Sequence, residues 1–405
     1  MLGGVRQAAL RLPLCRLCTL NNLRAIMMNC PISIPPPISF QSRSSLKGLK
    51  IQGLSALLMG LVLSALLQAQ AAHAANEGGL GAATLLTNQG PDRDAQFLKE
   101  AKKEGGLTLY TSQSPKDTSA LVDAFQKKYE LKVTVWRASG EKVIQRAVTE
   151  AHAHRFTPDV FESDAVVLEA LYREKLLQEF YSPAFKDLPA TAFQPGHFYV
   201  ADRFNFFTMV FNTHLVKPEE APKSYQDLLN PRWSGKLGLE AGDSDWFAAM
   251  VKNMGEVQGL AYFHRLKENK PQMRKGHTLM AELVAAGEIP IAVALYNHAA
   301  ERLVKAGAPI EWRALAPTMG RAGALGVASN VAHPHAALLW VDFSLSKEGQ
   351  EVIKSRERVP ASNAVVSHLS NFPYKLIDPS VTLDEYKKWD KIWTDLFVNP
   401  SNAAP

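Results

Sequence analysis

The sequence predicts an α/β protein of two lobes, and three observations lead to this prediction. Strand-like and helix-like segments alternate from about residue 95 to 176, which is the pattern of a mostly parallel sheet covered by helices. A second alternating region runs from about residue 277 to 316, after an aromatic, loop-rich stretch. A third extended stretch, "GALGVASN", then leads into the helical "HPHAALLWVDFSLSKEGQEVIKS". We expect the chain to begin one lobe, build a second and return to the first, so that at least two strands cross between the lobes as a hinge.

The first alternating region is predicted as successive helix and strand steps. The spacing of apolar residues indicates an amphipathic helix in "AQFLKEAKKEG" and a buried strand in "GLTLYTS". The next helix and strand are "SPKDTSALVDAFQKKY" and "LKVTVWRA". A further helix, "SGEKVIQRAVTEAHA", has Ser139 as its predicted N-cap. The strand "PDVFESD" and the helix "AVVLEALYREKLL" complete the region.

The first 75 residues have the composition of an export leader. They contain seven lysines and arginines and no aspartate or glutamate. An apolar core at about 51–67, including "LSALLMGLVLSALL", is followed by "AAHAAN". These features predict a secretory signal that is cleaved after Ala74 or Ala75. A membrane anchor of ~20 residues is the alternative, and the small residues after the apolar core argue against it.

The charges and cysteines outside the leader exclude several classes of protein. The chain carries a formal charge of +6, but removing the leader's seven basic residues leaves 38 against 39 acidic ones. The sequence therefore predicts no basic surface for nucleic acid or an anionic membrane. Cys15, Cys18 and Cys30 all lie in the leader, so we expect neither disulfides nor thiolate metal sites in residues 76–405.

The changes in sequence pattern also suggest domain boundaries. We assign residues 1–75 to the leader and residues 76–190 to the first part of lobe 1. Lobe 2 is predicted over 191–320, the return to lobe 1 over 321–370, and a C-terminal helical tail over 371–405.

The sequence contains no convincing catalytic motif. "GDSDW" resembles the start of a nucleophile elbow, but Trp246 stands where the second glycine belongs. His152 and His154 are two residues apart, which places them on different faces of a helix rather than at the i, i+4 spacing of a helical zinc site. There is no glycine-rich phosphate loop and no dinucleotide fingerprint. We therefore predict that the protein is not an enzyme.

Hydroxyl-rich junctions recur where strands lead into helices. They are "YTSQSPKDTS", "RASGEK" and "FESDA". Helix N-termini at the carboxyl ends of strands attract anions, so the junctions supply candidate ligand contacts: Thr111, Ser112, Ser139, Gly140 and Ser163. Each residue alone is explained by helix capping or a turn, whereas three such junctions in one lobe favour a binding site.

Several segments together carry a family resemblance. They are "GLTLYTSQSPKDTSALVDAFQKKY", "DLLNPRWSGKLGL", "GDSDWFAAMV", "LVAAGEIPIAVALYNHAAERLVKAGAPIEW" and "HPHAALLWVDFSLSKEGQEVI". From about residue 95 to 370 the chain resembles bacterial extracellular solute-binding proteins of family 1, in the branch that includes ferric-iron-binding proteins of ABC importers. The resemblance implies a two-lobed periplasmic binding protein type II fold, with mixed sheets flanked by helices and a ligand cleft between the lobes. It also implies a periplasmic, non-catalytic subunit that delivers its ligand to an ABC permease and its ATPase.

A tyrosine at the end of an apolar strand is the candidate metal ligand. In the ferric-binding branch, the resemblance implies two adjacent tyrosines after the strand that corresponds to "IPIAVALYNH". Here Tyr296 matches the first, and Asn297, which we predict as a ligand contact, stands at the second position. Glu162 is a candidate second oxygen donor, with a solvated helix start as its alternative. His298 is expected to pack or be solvated rather than to bind metal.

Residues near the second crossing are further candidates for the cleft. Asp243, Ser244 and Arg203 are predicted ligand contacts. Trp246 is predicted as a ligand contact and is expected to be exposed. The aromatic residues Tyr199, Phe204 and Phe206 are also candidates for the cleft lining, with core packing as the default for Phe206.

We therefore expect a periplasmic ABC-importer binding protein, monomeric, with ferric iron as the favoured ligand and no required cofactor. A small organic or phosphorus oxyanion, held by hydroxyls, helix N-termini and Arg203, is the alternative ligand. A ligand-sensing subunit for a membrane receptor is an alternative role. A secreted hydrolase would need a nucleophile and a base that the sequence does not offer.

Overall fold

The architecture is given by a computed structural model, which describes residues 85–399. The predicted leader, its cleavage position and residues 400–405 lie outside the described residues. Within 85–399, no helix combines the length and apolar character needed to cross a membrane.

The first half of the chain follows the predicted alternation. Its elements are α1 (Arg93–Glu104), β1 (Gly106–Thr111), α2 (Pro115–Tyr129), β2 (Lys132–Arg137), α3 (Gly140–His152), β3 (Val160–Asp164), α4 (Ala165–Arg173) and β4 (Leu177–Gln178). Local sequence explains the boundaries. The Ser114 Oγ accepts the Asp117 backbone N–H at 3.3 Å and Pro115 occupies the first turn of α2, a favoured helix start. Gly105 ends α1 in the left-handed conformation, with φ 80°.

The second half contains two long strands and the elements between and after them. They are β5 (Val200–Asn212), β6 (Leu237–Glu240), α5 (Ser244–Met254), α6 (Glu256–Glu268), β7 (Gln272–Arg274), α7 (His277–Ala285), β8 (Ile291–Tyr296), α8 (Asn297–Lys305), β9 (Ile310–Arg313), β10 (Thr318–Ala328), α9 (Pro334–Leu345), α10 (Lys347–Ser355), β11 (Val359–Pro360), β12 (Tyr374–Leu376) and α11 (Pro379–Trp393). Short 3-10 helices connect several of them.

The strands form one continuous mixed sheet in the order β2-β1-β3-β10-β5-β8-β6-β7. β1 is parallel to both β2 and β3, whereas β10 is antiparallel to β3 and to β5. On the other side, β8 is antiparallel to β5 and parallel to β6. The carboxyl ends of β1, β2 and β3 therefore lie at the same edge of the sheet.

Each lobe has its own hydrophobic core. In lobe 1, Phe125 of α2 packs edge-on against Trp340 of α9, with ring centroids 5.2 Å apart. In lobe 2, Phe247 of α5 packs against Trp393 of the C-terminal helix α11 at 5.4 Å. The end of the chain thus completes the core of lobe 2, while α9 completes the core of lobe 1.

Two strands pass from one core to the other. Along β5, Phe206 belongs to the core of lobe 1 and the next residue, Phe207, to that of lobe 2. Along β10, Met319 lies in the lobe 2 core and Leu325 in the lobe 1 core. The first crossing therefore lies later in the chain than residue 191, where we predicted the start of lobe 2. The pairing of β10 with β5 shifts register between Gly323 and Ala324.

Three expectations about local structure are wrong. Trp246, expected to be exposed, is fully buried, because α5 turns it into the lobe 2 core against Phe263 at 5.6 Å. Tyr199 and Phe204, candidates for the cleft lining, are buried in lobe 1, whereas Phe206 is buried in the core as its default predicted. The helix predicted from "HPHAALLW" onward is two helices, α9 and α10, because Ser346 ends the first and its Oγ caps the second at the Gly349 N–H.

Candidate ligand-binding site

Tyr296 stands where a buried strand turns into a helix. Residues 291–295 of β8 are all buried, and α8 begins at Asn297. Tyr296 is only partly buried and occupies the N-cap position of α8. The strand therefore ends at the edge of the sheet where ligands bind in α/β proteins.

The Tyr296 hydroxyl is held by an arginine from the second crossing strand. The Arg321 Nη1 of β10 donates to the Tyr296 Oη. The same guanidinium forms two hydrogen bonds with Asp245, from Nε at 2.8 Å and from Nη2 at 2.5 Å. His277 stacks on the Tyr296 ring with centroids 3.9 Å apart. The His298 ring also stacks with Tyr296, at a centroid distance of 5.3 Å. Tyr296 is therefore fixed by stacking with two histidine rings and by one cation.

Two more carboxylates lie on the lobe 2 side of this tyrosine. The Asp243 Oδ1 is 3.2 Å from the His277 Nε2 and 3.9 Å from the Arg321 Nη2. The carboxylate of Glu240 accepts the backbone N–H groups of Gly242 and Gly276, each at 2.6 Å. One ligand atom each from Glu240, Asp243 and His277 lies within 4.8 Å of the other two. We call the following residues the Tyr296 cluster: Glu240, Asp243, Asp245, His277, Tyr296 and Arg321.

The electrostatics of the cluster keep Tyr296 protonated in the absence of a ligand. Burial raises the pKa of Tyr296 well above its ordinary value, and Arg321 opposes this shift. Three carboxylates, those of Asp164, Asp243 and Asp245, raise it further. Burial also raises the pKa of Asp243, against the lowering effects of His277 and Arg321. Asp243 and Asp245 both lie beside the Arg321 guanidinium, at 3.9 and 2.5 Å, so carboxylates outnumber guanidinium groups next to the phenol.

The hydroxyl-rich junctions of lobe 1 meet as their shared sheet edge requires. The Ser112 Oγ after β1 lies 2.6 Å from the Ser163 Oγ of β3, and the Thr111 Oγ1 accepts the Gln113 N–H at 3.1 Å. A Cβ on Gly140 would lie 3.6 Å from the Ser163 Oγ, so the start of α3 adjoins the same point. Ser139 occupies the N-cap position of α3 as predicted, but its side chain makes no capping hydrogen bond. Roles for these residues in ligand binding stay a prediction.

Glu162 and Arg203 belong to a buried charge network within lobe 1. The Arg203 Nη1 lies 2.8 Å from both carboxylate oxygens of Asp202 and 3.3 Å from the Glu162 Oε1, to which Gln113 also donates. Burial and Asp202 raise the pKa of Glu162 well above its ordinary range. A Cβ on Gly323 would come within 2.5 Å of the Arg203 Cζ, so the network needs glycine at this point of β10. Two carboxylates already balance Arg203, which argues against its predicted role as an anion contact.

A second charged cluster joins the two lobes. Asp117 of α2 accepts from Arg358 at 2.6 and 2.9 Å and from Arg302 of α8 at 2.9 Å, and Arg356 lies 3.7 Å away. The Arg358 Nη1 also lies 2.5 Å from the His298 Nε2. Burial and the neighbouring arginines hold the pKa of His298 well below its ordinary value. We call the following residues the Asp117 cluster: Asp117, Arg302, Arg356 and Arg358.

The remaining predicted residues lie around the Tyr296 cluster with different contacts. The Asn297 Nδ2 donates to the Leu369 carbonyl at 2.7 Å, and the side chain is fully buried. This contact argues for a structural role for Asn297. Ser244 and Asp245 line a cavity of about 250 Å³ between α5, β12 and α11. Trp246, also predicted as a ligand contact, lies in the core.

Sequence reasoning missed Arg321, Asp245, His277 and the Asp117 cluster. A signal was available for two of them. Asp245 follows Asp243 by two residues at the start of a helix, and His277 follows Gly276 at another helix start. Arg321 lies within a strand, and no local sequence pattern indicates which side chains of that strand face the binding site.

The comparisons with known proteins agree with this architecture. The bacterial extracellular solute-binding protein family matches residues 156–376. The major ferric iron-binding protein of Neisseria meningitidis serogroup B is 27% identical over 296 residues, which cover 68% of this chain and 87% of that protein.

Solved structures show the same fold. Iron-bound HitA from Pseudomonas aeruginosa has a TM-score of 0.63 at 20% identity, covering 71% of this chain and 99% of its own. AfuA from Actinobacillus pleuropneumoniae, with bound fructose-6-phosphate, has a TM-score of 0.60 at 22% identity, covering 73% and 99%. The predicted two-lobed type II fold is thereby confirmed. Since the family match spans more than half of the sequence, this chain belongs to the bacterial extracellular solute-binding proteins.

Proposed function

We propose that this chain is the periplasmic substrate-binding subunit of an ABC importer and that its ligand is ferric iron. The meningococcal relative is named a ferric iron-binding protein, and the sequence carries the features of an export leader. In this proposal the chain carries out no chemical reaction. It closes its lobes over the ligand and presents the closed form to a membrane permease.

The observation that carries the choice of ligand is the charge around Tyr296. Asp243 and Asp245 lie 3.9 and 2.5 Å from the guanidinium that holds the Tyr296 hydroxyl, and Glu240 lies beside Asp243, so the carboxylates favour a cation over an anion. A bound cation stabilises the phenolate, and carboxylate and phenolate oxygens suit a hard, trivalent ion such as Fe³⁺. The tyrosine that is a protonated phenol without ligand thus becomes an anionic oxygen donor when iron binds.

The two sides of the cleft have different tasks in this proposal. Tyr296 supplies the phenolate, and Arg321 and His277 hold its ring and oxygen in place. Glu162, predicted as a second donor, first has to be released by Arg203 and Gln113. Asp243, beside Tyr296, has one carboxylate oxygen without a hydrogen-bond partner among the described residues, and we therefore place the ion on that side.

Lobe 1 contributes hydroxyl groups to the proposed site. The paired side chains of Ser112 and Ser163 lie at the carboxyl ends of β1 and β3, next to helix N-termini. Such groups bind oxyanions, and we propose that they hold a small anion that completes the coordination of the iron. Closure then depends on both lobes touching the same ligand, which is how a ligand shifts an open–closed equilibrium.

The test is a titration of the exported chain, residues 76–405, with ferric citrate. We expect a visible tyrosinate-to-iron charge-transfer band and thermal stabilisation, since a ligand at 100 times its Kd adds ~2.7 kcal/mol. Tyr296→Phe should lose the band and bind iron at least ~100-fold more weakly. Tyr110→Phe is the matched control, because Tyr110 donates to Glu150 within lobe 1. This variant should keep both the charge-transfer band and the affinity for iron.

Two results would contradict the proposal. An unchanged spectrum in Tyr296→Phe would remove this residue from the site. Stabilisation by sugar phosphates, phosphonates or carboxylates, without any response to iron, would make the ligand an oxyanion and Tyr296 a hydrogen-bond donor to it.

A further inference from the structure

We infer that Glu240, Asp243 and His277 form a metal-binding site of lobe 2, beside Tyr296, that takes a divalent or trivalent transition-metal cation. The inference deepens the proposed function, because it names the ligands that would share the ion with Tyr296. Two carboxylates and one imidazole are a donor set suited to such ions. If the metal is not iron, the three side chains still form a site of their own.

The three side chains arrive from three different elements. Glu240 is the last residue of β6, Asp243 precedes α5, and His277 is the first residue of α7. Their potential ligand atoms lie within 4.8 Å of one another, a spacing that one ion can bridge with small side-chain adjustments. Because all three elements belong to lobe 2, the donor set does not depend on closure of the lobes.

Unpartnered polar atoms distinguish this group from an ordinary ion pair. The Asp243 side chain is 2% exposed, and its Oδ2 has no hydrogen-bond partner among residues 85–399. The Nδ1 of His277 also has no hydrogen-bond partner among these residues, and the His277 side chain is 17% exposed. A buried carboxylate oxygen without a partner is costly. A cation bound at Asp243 would remove that cost.

The Glu240 carboxylate is also held in position to bind the metal. Two backbone N–H groups, from Gly242 and Gly276, fix its two oxygens at 2.6 Å. An ionised carboxylate offers about four acceptor sites, so lone pairs remain for a metal. The side chain therefore needs little reorganisation on binding.

A histidine–carboxylate pair elsewhere in the chain shows the structural alternative. The His333 Nδ1 lies 2.9 Å from the Asp159 Oδ2, which also accepts the Thr108 N–H at 2.7 Å. The other oxygen of Asp159 accepts the N–H groups of Ala332 and His333. Both oxygens are thus satisfied by protein, and the pair is a structural anchor. Asp243 differs in that one oxygen is left without a donor.

The experiment measures metal binding to the exported chain with Co²⁺, whose visible absorption reports coordination, and separately with ferric citrate. Asp243→Asn and His277→Gln should each weaken Co²⁺ binding by at least ~30-fold. His333→Gln should leave it unchanged. Two variants at the site are used so that one remains informative if the other unfolds, which thermal melting detects.

The outcomes separate this inference from the proposed function. If iron binds through Tyr296 and neither variant differs from His333→Gln, the metal-site inference is wrong and the function stands. If both variants lose Co²⁺ and the wild-type chain ignores ferric iron, the metal site stands and the iron assignment fails. If the wild-type chain binds neither ion, the inference is overturned.

Discussion

The Tyr296 cluster and the Asp117 cluster use the same kinds of residue to opposite effect. In the Asp117 cluster, one carboxylate faces three arginines, and each of its oxygens accepts a hydrogen bond from an arginine. In the Tyr296 cluster, three carboxylates accompany one arginine, and an oxygen of Asp243 has no partner among the described residues. A carboxylate whose two oxygens both accept hydrogen bonds holds a structure together, whereas a buried carboxylate oxygen without a partner leaves the capacity to bind a cation. The comparison predicts that mutations in the first cluster act on stability and on the contact between the lobes, and mutations in the second on binding.

The largest expected effect is on stability, at Asp117. Asp117→Asn leaves the buried Arg358 without its carboxylate, and breaking a buried ion pair is strongly destabilising. We expect the free energy of unfolding, measured by urea denaturation, to fall by about 3 kcal/mol. Asp384→Asn, which removes the exposed partner of Arg173, is the control and should cause no measurable change. An Asp117→Asn protein of normal stability that no longer binds ligand would reverse the roles of the two clusters.

The second prediction is a gain in the free energy of unfolding, on mutation of Asp243. Burial raises the pKa of this carboxyl in the folded protein, so its charged form opposes folding above the ordinary pKa of ~3.9. Asp243→Asn should therefore raise the free energy of unfolding of the ligand-free protein at pH 7, because the asparagine carries no buried charge. The gain should disappear below about pH 4, where the wild-type carboxyl is protonated in both states. A loss of stability at pH 7 would show that Asp243 serves the fold.

The smallest effect concerns the bond between the lobes. Arg302 belongs to α8 of lobe 2 and Asp117 to α2 of lobe 1, so their ion pair holds the lobes together. The Arg302 side chain is 36% exposed, and such a pair contributes less than about 1 kcal/mol. Arg302→Gln should shift the population towards the open form and weaken ligand binding about threefold.

Small-angle scattering of the ligand-free protein should show a larger radius of gyration for Arg302→Gln. Lys103→Gln is the control, because its partner Glu100 lies within the same helix, and it should change neither the radius nor the affinity. If Arg302→Gln lowers stability without changing the ligand affinity, the Arg302–Asp117 ion pair does not contribute to closure of the lobes.

Local patterns predicted much of the fold and part of the site. Alternating strand and helix signals gave the elements of lobe 1, and parallel strands place their carboxyl ends together. Ser112 and Ser163 therefore met as expected. Tyr296 was located because an apolar strand ends at a polar residue that starts a helix. In each case the signal lies within a few residues of the position it concerns.

The rest could not be predicted because it depends on contacts between distant parts of the chain. Nothing near Asp117 indicates that Arg302 and Arg358, which follow lobe-crossing strands, would return to it. Arg321 lies in a strand whose pairing decides which side chains reach Tyr296. Trp246 was misjudged because the polar residues before it suggested exposure, whereas the packing of α5 decides which face of that helix is buried.

The double crossing of β5 and β10 also determines when the protein can fold. Lobe 1 needs β10, which inserts between β3 and β5, and lobe 2 needs Trp393 from the last helix. Neither core is complete until these late elements have been synthesised, and pairing between distant strands is slow. We expect a nascent chain of this topology to fold only after they emerge from the ribosome. If the predicted leader directs export, this delay keeps the chain extended for passage through a translocation channel.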